Sequence, residues 1–309
     1  MNTLGHNFRL TTFGESHGLA VGGIIDGCPA NIKLDFDAIE AELARRRGGN
    51  DETTQRQEPD KVDFLSGLLN GITLGTPIAF IIKNSDARPG DYECLREYCR
   101  PGHADFTYQA RYGIHDHRGG GRSSGRETVA RVVAGAISKQ ILKNQNINIA
   151  ATVDSLAPQK PDDTRGGVIS CRVDGLRAGI GNPVFGRLNA ALAFAAMSIP
   201  SATAFEMGIG TAASTMTGSE YVDQWLPDGH TVTNHCGGIQ GGISNGMPIE
   251  FRVHFHAAPT LPRPIDCLSS DGKISTIEVK GRHDLCHIHR LPVVVEAMTA
   301  LTIIDFLNT

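Results

Sequence analysis

Arg118 to Ile137 (RGGGRSSGRETVARVVAGAI) sets a glycine run, two serines and several arginines immediately before what reads as a helix. Ser124 with Glu127 fits a capping box, and Val129, Val132, Val133, Ala136 and Ile137 supply the apolar face of the helix that follows. The unpaired N–H groups and dipole of a helix N-terminus favour a phosphate, glycines let a ligand approach the backbone, and Arg122 and Arg126 add fixed charge. A capped helix after a flexible turn accounts for the same residues, because the run is neither a P-loop nor a dinucleotide fingerprint.

Further cations have the same double reading. Arg45, Arg46 and Arg47 suit a helix C-terminus, where positive charge meets the negative end of the dipole. Three in a row cannot share one face, however, and with Arg56 and Arg100 near in sequence an arginine-lined anion pocket competes with that reading. Ser16 and His17 fall in a turn between two strand patterns. A second glycine-rich loop, His235 to Gly242, can approach a ligand or merely turn tightly.

The elements that must position these residues follow from local pattern. Phe8 to Phe13 alternates as a strand, and Leu19 to Asp26 reads as a buried strand ending at Gly27-Cys28-Pro29. Asp35 or Asp37 caps a helix with Phe36, Ile39 and Leu43 inward, stopped by Gly48-Gly49. Asp63 to Asn84 reads as two strands around the Asn70-Gly71 hairpin signal. Pro183 to Ser198 is an alanine-rich helix, and LPVVVEAMTALTIIDFL (Leu291 to Leu307), apolar nearly all round with Pro292 in the first turn, is a buried one.

One segment has an echo. Gly71-Ile72-x-x-Gly75-x-Pro77-Ile78-x-Phe80 recurs as Gly242-Ile243-x-x-Gly246-x-Pro248-Ile249-x-Phe251. Each copy is followed by a polar, histidine-bearing loop and an apolar helix. We read a diverged duplication within one domain, 1–309, with halves at approximately 1–158 and 168–309 and the polar stretch Gln159 to Gly167 between them. The expected class is α+β: an internally duplicated β-α-α-β sandwich, helices packed between sheet layers, each half offering a loop to a shared cleft.

Composition narrows the function. The 309 residues are 40% hydrophobic and 20% charged, with 36 glycines and a formal charge of -4. This is ordinary globular composition, and without a long basic run it points away from nucleic acid and toward a small anionic ligand. Seven cysteines without CxxC spacing read as free thiols in a reducing cytosol, with no metal motif. No window approaches the length of a membrane span, so a cytoplasmic protein is expected.

Three motifs together resemble the chorismate synthase family: GESHGLAVGGIIDGCP (Gly14 to Pro29), GGGRSSGRETVARVVAGAI (Gly119 to Ile137) and GRHDLCHIHRLPVVVEAM (Gly281 to Met298). RRRGG, TTQRQEPD, RPGHADFTY and NHCGGIQGGISNG support them, in family order over nearly the whole chain. The resemblance implies conversion of 5-enolpyruvylshikimate 3-phosphate to chorismate and phosphate by a 1,4-trans elimination that needs reduced FMN, in a homotetramer. It implies that His17 protonates the departing phosphate, that His103 stabilises the reduced flavin, and that Asp284, assisted by Ser16 and Ser124, relays a proton. Both histidines, beside anions, are expected in the charged form. By the same resemblance Arg122, Ser123, Ser124, Ser201, Gly241, Pro259, Thr260 and Arg282 contact the flavin, and Arg46, Arg56, Arg126 and Arg290 the substrate anions. Arg46 also falls in a stretch linked with NADP, which makes NADPH a possible reductant.

The chain departs from the family pattern at several points. The family's lysine-bearing KPT segment is His256-Ala257-Ala258-Pro259-Thr260 here, so a flavin-contacting cation is missing or supplied by His256. The family's asparagine-alanine pair is Pro200-Ser201, HDPC reads HDLC, Asp51-Glu52 replaces an arginine after RRRGG, and the middle of the chain is shorter around Ala150 to Val173. Two alternatives to an active synthase follow. One is a weakened homologue that binds a flavin or anionic metabolite in a regulatory role; the other is an oxidoreductase that reduces its own FMN with NADPH, which the missing arginine disfavours.

Overall fold

The computed structural model describes residues 1–47, 49, 52–53, 56–261, 263–277 and 284–307. The expected mixture of helix and sheet is present, and two antiparallel sheets carry it. The first contains β1 (Arg9–Phe13), β2 (Ala20–Asp26), β3 (Val62–Phe64) and β4 (Ile78–Lys83) in the spatial order β1-β2-β4-β3, with Thr3–Leu4 at the β1 edge. The second contains β5 (Asn148–Leu156), β6 (Gly167–Asp174), β7 (Ala202–Met207) and β8 (Ile249–Phe255) in the order β5-β6-β8-β7.

Along the chain each sheet is built by the same steps: a hairpin, a helix, a third strand, a tight two-residue hairpin, a fourth strand and a later long helix. The longer helices are α1 (Phe36–Arg47) and α3 (Thr128–Lys143) with the first sheet, α4 (Leu188–Met197) and α5 (Pro292–Leu307) with the second, and α2 (Asp105–Tyr112) in the connection before α3. The tight hairpins, Leu68–Leu69 with Ile72–Thr73 and Ile239–Gln240 with Ile243–Ser244, are tied down alike. Thr73 Oγ1 donates to the Pro29 carbonyl at 2.7 Å and accepts from the Ile32 N–H at 2.9 Å. Ser244 Oγ donates to the Arg177 carbonyl at 2.7 Å and accepts from the Ile180 N–H at 2.9 Å. One hydroxyl thus satisfies both a donor and an acceptor of a neighbouring turn in each case.

The central helices are apolar because they are covered on several sides. α3 packs on β1 and β2, α5 on β5 and β6, and the two helices on each other. Val132, Val133, Ile137, Val294, Leu301 and Ile303 are buried within this contact region. Gly135 is the closest point: a Cβ there would lie 2.3 Å from the Ala297 Cβ and 2.5 Å from its Cα. The polar Glu296 is accommodated on α5 by Arg45, Lys139 and the Ala151 N–H, so the buried carboxylate is paired and hydrogen-bonded.

Several local expectations change in the structure. Phe36 does not point inward but is 44% exposed, its ring tilted on Phe64 at the sheet edge. The Asn70-Gly71 turn is present, with φ of +51° and +76°, but it joins only two-residue strands; β3 and β4 pair directly with each other. The alanine-rich helix begins at Leu188 rather than Pro183, because Asn182 N–H donates to the Gly186 carbonyl in a turn first. Among the described residues all seven cysteines are free thiols, and no helix is long and apolar enough to cross a membrane.

Candidate active site

The β1–β2 loop carries Ser16 and His17. Asn84 pins it by donating to the carbonyls of Glu15 at 3.0 Å and Gly18 at 2.9 Å, and the Ser16 N–H donates to the Gly121 carbonyl at 3.2 Å. This last bond brings the glycine run against the loop. Gly119, Gly120 and Gly121 have φ of +65°, +84° and +53°, a region that costs a side-chain-bearing residue energy, and Gly119 lies directly on the His17 ring. Tyr92 meets the same ring edge-on at 4.8 Å between centroids.

Ser124 caps a short 3-10 turn before α3, accepting from the Arg126 N–H at 3.3 Å. The expected reciprocal half of a capping box is not formed. Glu127 turns away to accept from Thr12 Oγ1 at 2.7 Å and from Arg131 Nε at 2.8 Å.

A cavity of about 440 Å³ opens between these loops and the second half of the chain. That is within the span of small-ligand sites, roughly 300–1,000 Å³. Ser16, His17, Arg56, His103, Ser123 and Ser124 line it from the first half. Ser201, Pro259, Thr260, Asp284 and Arg290 line it from the second, and Arg46 and Arg126 also border it. Ser16 Oγ accepts from Ser124 Oγ and from Arg56, each at 3.2 Å, which leaves its own proton for donation. His103 bonds the Pro101 carbonyl through Nδ1 at 3.0 Å and Thr260 Oγ1 through Nε2 at 2.9 Å. Since a carbonyl only accepts, Nδ1 carries a proton. Gly102 makes this approach possible, because a Cβ there would be 2.7 Å from Pro259.

The arginines are compensated. Arg46 and Arg126 share the fully buried Asp60, Arg56 pairs with Glu58, Arg100 with Asp105, and Arg290 with Asp284. Arg47 and Arg88, also on the cavity wall, face Glu40 and Asp86. Burial opposes ionisation of Asp60, but the two guanidiniums outweigh it and hold the carboxyl below its ordinary range. Arg46 is pushed down to about 10 by burial, with Arg126 and Arg290 adding repulsion against the pull of Asp60. The Nε atoms of Arg46 and Arg290 are buried with no hydrogen-bond partner among the described residues. Unsatisfied donors of this kind are what an anion would complete.

Several expectations are corrected here. Arg122 does not line this cavity; it donates to Thr12 Oγ1 at 2.8 Å and faces a separate groove bordered by Tyr108 and His117. Gly241 forms the turn between Ile239–Gln240 and Ile243–Ser244, with φ of +62°, and is also absent from the wall. Arg282 lies outside the described residues. The guanidinium of Arg126, expected to meet a substrate anion, is occupied by Asn84, Asp60 and the Lys83 carbonyl. Within the protein's own groups His17 is pushed down to about 4, by burial first and Arg56 second, so the charged form expected beside anions depends on those anions.

The sequence also under-read part of the wall. His287 lines the cavity and bonds Ser201 Oγ at 2.7 Å, and His256 lines it nearby. Glu52, in the stretch that lacks the family arginine, pairs with Arg165 and His289. Glu52, Cys286 and His289 hold potential metal ligands within 4.8 Å of one another, but Arg165 already takes both Glu52 oxygens.

The chorismate synthase family model matches residues 8–164 and 157–307. The chain belongs to the chorismate synthase family. Chorismate synthase of Azobacteroides pseudotrichonymphae is 46% identical, with 99% of each chain covered, and that of Parabacteroides distasonis is 45% identical over 99% of this chain and 98% of its own. A crystal structure of a chorismate synthase superposes with a TM-score of 0.76 at 26% identity, covering 98% of this chain and 92% of that one. The alignment to the first relative runs to 349 positions against the 309 residues here, so this family member lacks segments that its relative carries.

Proposed function

We infer that the chain is a chorismate synthase, converting 5-enolpyruvylshikimate 3-phosphate to chorismate and phosphate by a 1,4-trans elimination with reduced FMN. The observation that carries the reading is that one cavity gathers Ser16, His17, His103, Ser124 and Asp284 from distant parts of the chain beside the unsatisfied Nε donors of Arg46 and Arg290. Buried donors without partners fit a ligand rich in phosphate and carboxylate.

The residues present also suit a flavin. His103, Thr260, Pro259, Ser123, Ser124 and Ser201 would hold it, the first three already assembled by the His103–Thr260 bond. When bound, the flavin supplies transient electron donation to the substrate with no net redox change. The protein does the rest. Arg46, Arg56 and Arg290 take the substrate anions, and His17 gives its proton to the departing phosphate oxygen. The dianion itself raises the His17 pKa from its depressed value toward the working range, since an opposite charge favours the imidazolium. Asp284, assisted by Ser124 and by Ser16, which Arg56 polarises, relays the proton that the substrate gives up.

The weakened-homologue reading is not favoured, because the residues that would be first to drift under loss of catalysis share one wall. Arg46 is committed to Asp60, which gives NADPH no evident contact there. The identical order of steps in the two sheets, with Thr73 and Ser244 in matching roles, supports the duplicated four-layer sandwich with halves at 1–158 and 168–309. Exposed Phe185, Trp225 and Val232, at 96%, 60% and 64%, are the kind of surface that subunits cover in a homotetramer, and the free thiols fit a cytoplasmic setting. The decisive experiment is anaerobic: phosphate release and chorismate absorbance with dithionite-reduced FMN at increasing concentration. Turnover that saturates in FMN supports the synthase; a folded protein that binds substrate without turnover sinks it.

A further inference from the structure

Among the described residues, every arginine on the cavity wall already faces a carboxylate, and the position of the family's lysine is Ala258. New positive charge for an incoming anion must therefore come from groups that can gain it, which in this wall are histidines. His287 is built for that. It leaves the short turn His287–Arg290 and meets Ser201, which sits in the left-handed region at φ +71°, an uncommon conformation for serine.

The hydrogen-bond accounting fixes the tautomer. Ser201 Oγ has one proton and gives it to the Pro200 carbonyl, so His287 Nε2 must donate to Ser201. Nδ1 is then a bare lone pair, buried and without a partner among the described residues. Toward an anion that lone pair is repulsive, and protonation turns it into a donor. His256, exposed at the same wall, gives its Nδ1 proton to the Ala257 carbonyl at 2.6 Å. The charged and titratable groups acting on His287 are Asp284, which favours its protonation, and Arg290 and His256, which oppose it.

We propose that His287, seated on Ser201 and faced by His256, is a phosphomonoester subsite of this cavity that takes up a proton as the anion binds. Burial holds His287 down to about 4, so its charge is created when an anion beside it stabilises the imidazolium. The inference rests on the synthase reading and deepens it. The phosphomonoester belongs either to FMN or to 5-enolpyruvylshikimate 3-phosphate, which share this chemistry.

The test is isothermal titration calorimetry of the whole protein at pH 7, in buffers of different ionisation enthalpy, with FMN, riboflavin and 5-enolpyruvylshikimate 3-phosphate as separate probes. Uptake of up to about one proton with FMN but not riboflavin places the flavin phosphate at His287; uptake with the shikimate ester that persists in His17→Ala places the substrate phosphate there, since His17 is the other depressed histidine of the wall. Affinity for that probe should fall by up to about tenfold per pH unit between 6 and 8, as one linked proton requires. His287→Gln should abolish the uptake, while His287→Lys should retain affinity and lose the pH dependence. Binding with no proton uptake, or uptake unchanged in His287→Gln, overturns the subsite but leaves the synthase reading intact. Failure of all three probes to bind overturns both. Should either variant fold poorly, the proton count of His17→Ala decides, because that variant removes the other depressed histidine.

Discussion

Arg290 donates to the Asp284 carboxylate at 2.5 Å, joining the one cavity-lining carboxylate expected to move a proton to a cation expected to hold substrate. The pair makes each residue's role depend on the other. The Arg290 Nε has no partner among the described residues, so Arg290 can serve Asp284 and an anion together. Arg290→Ala should weaken 5-enolpyruvylshikimate 3-phosphate about 10- to 100-fold, the scale of a hydrogen bond to a charged group, and FMN much less. Separate equilibrium titrations check it, and a loss falling on FMN instead would move Arg290 to the flavin side.

Asp60 serves two buried guanidiniums at once. Removing it in Asp60→Ala leaves Arg46 and Arg126 repelling each other without water or counter-charge, a loss of about 3–5 kcal/mol. Urea unfolding should show a lower midpoint with an unchanged slope. A midpoint within error of the wild type would mean that the pair contributes nothing to stability.

His17→Ala should lower turnover by roughly tenfold or more, as loss of a general acid does. Gly119→Ala should act through the same residue, because the new Cβ would sit 2.4 Å from the ring and its φ of +65° adds strain of about 1–3 kcal/mol. Combined, the two changes should cost little more turnover than His17→Ala alone, since the ring is no longer there to displace. Additive losses in anaerobic phosphate release would show that Gly119 acts elsewhere.

Acid stability should follow the two depressed histidines. His17 and His287 are held near 4 in the folded chain against about 6.5 when unfolded, so between those values the unfolded state binds more protons. Stability is therefore full above pH 6.5 and falls as pH drops toward 4. Thermal melting points measured across that window should decline, and His287→Gln should flatten the decline. A melting point that rises on acidification contradicts the sign.

What the sequence carried was local pattern and family position; what it lacked was partner choice. The alanine-rich run announced α4, yet nothing in it says that Asn182 and Gly186 form a turn first. Ser124 and Glu127 satisfy the spacing of a capping box, but Glu127 is claimed by Arg131 one turn on and by Thr12 from β1, contacts only the fold creates. The arginines were legible as an anion pocket, whereas Glu58 and Asp60 lay within TTQRQEPD without any sign that they would neutralise them. His17 was read beside its ligands, where charge wins; among the protein's own groups burial wins. Arg122 shows the same limit, because one residue of register in a 3-10 turn decides which of two grooves a side chain enters.

Gly135 and Ala297 hold α3 and α5 at a separation that no methyl group fits, and α3 begins at Thr128 and α5 carries Val294, both in the cavity wall. The cleft's width is therefore set outside its wall, at a contact about two helical turns from Thr128 and less than one from Val294. Because the Ala297 Cα itself would lie 2.5 Å from the added carbon, trimming Ala297 to glycine could return only part of the gap. A lineage that gains one carbon at this seam must re-space both halves, so the calibre of the pocket is inherited through the tightest helix contact rather than through the pocket's own residues.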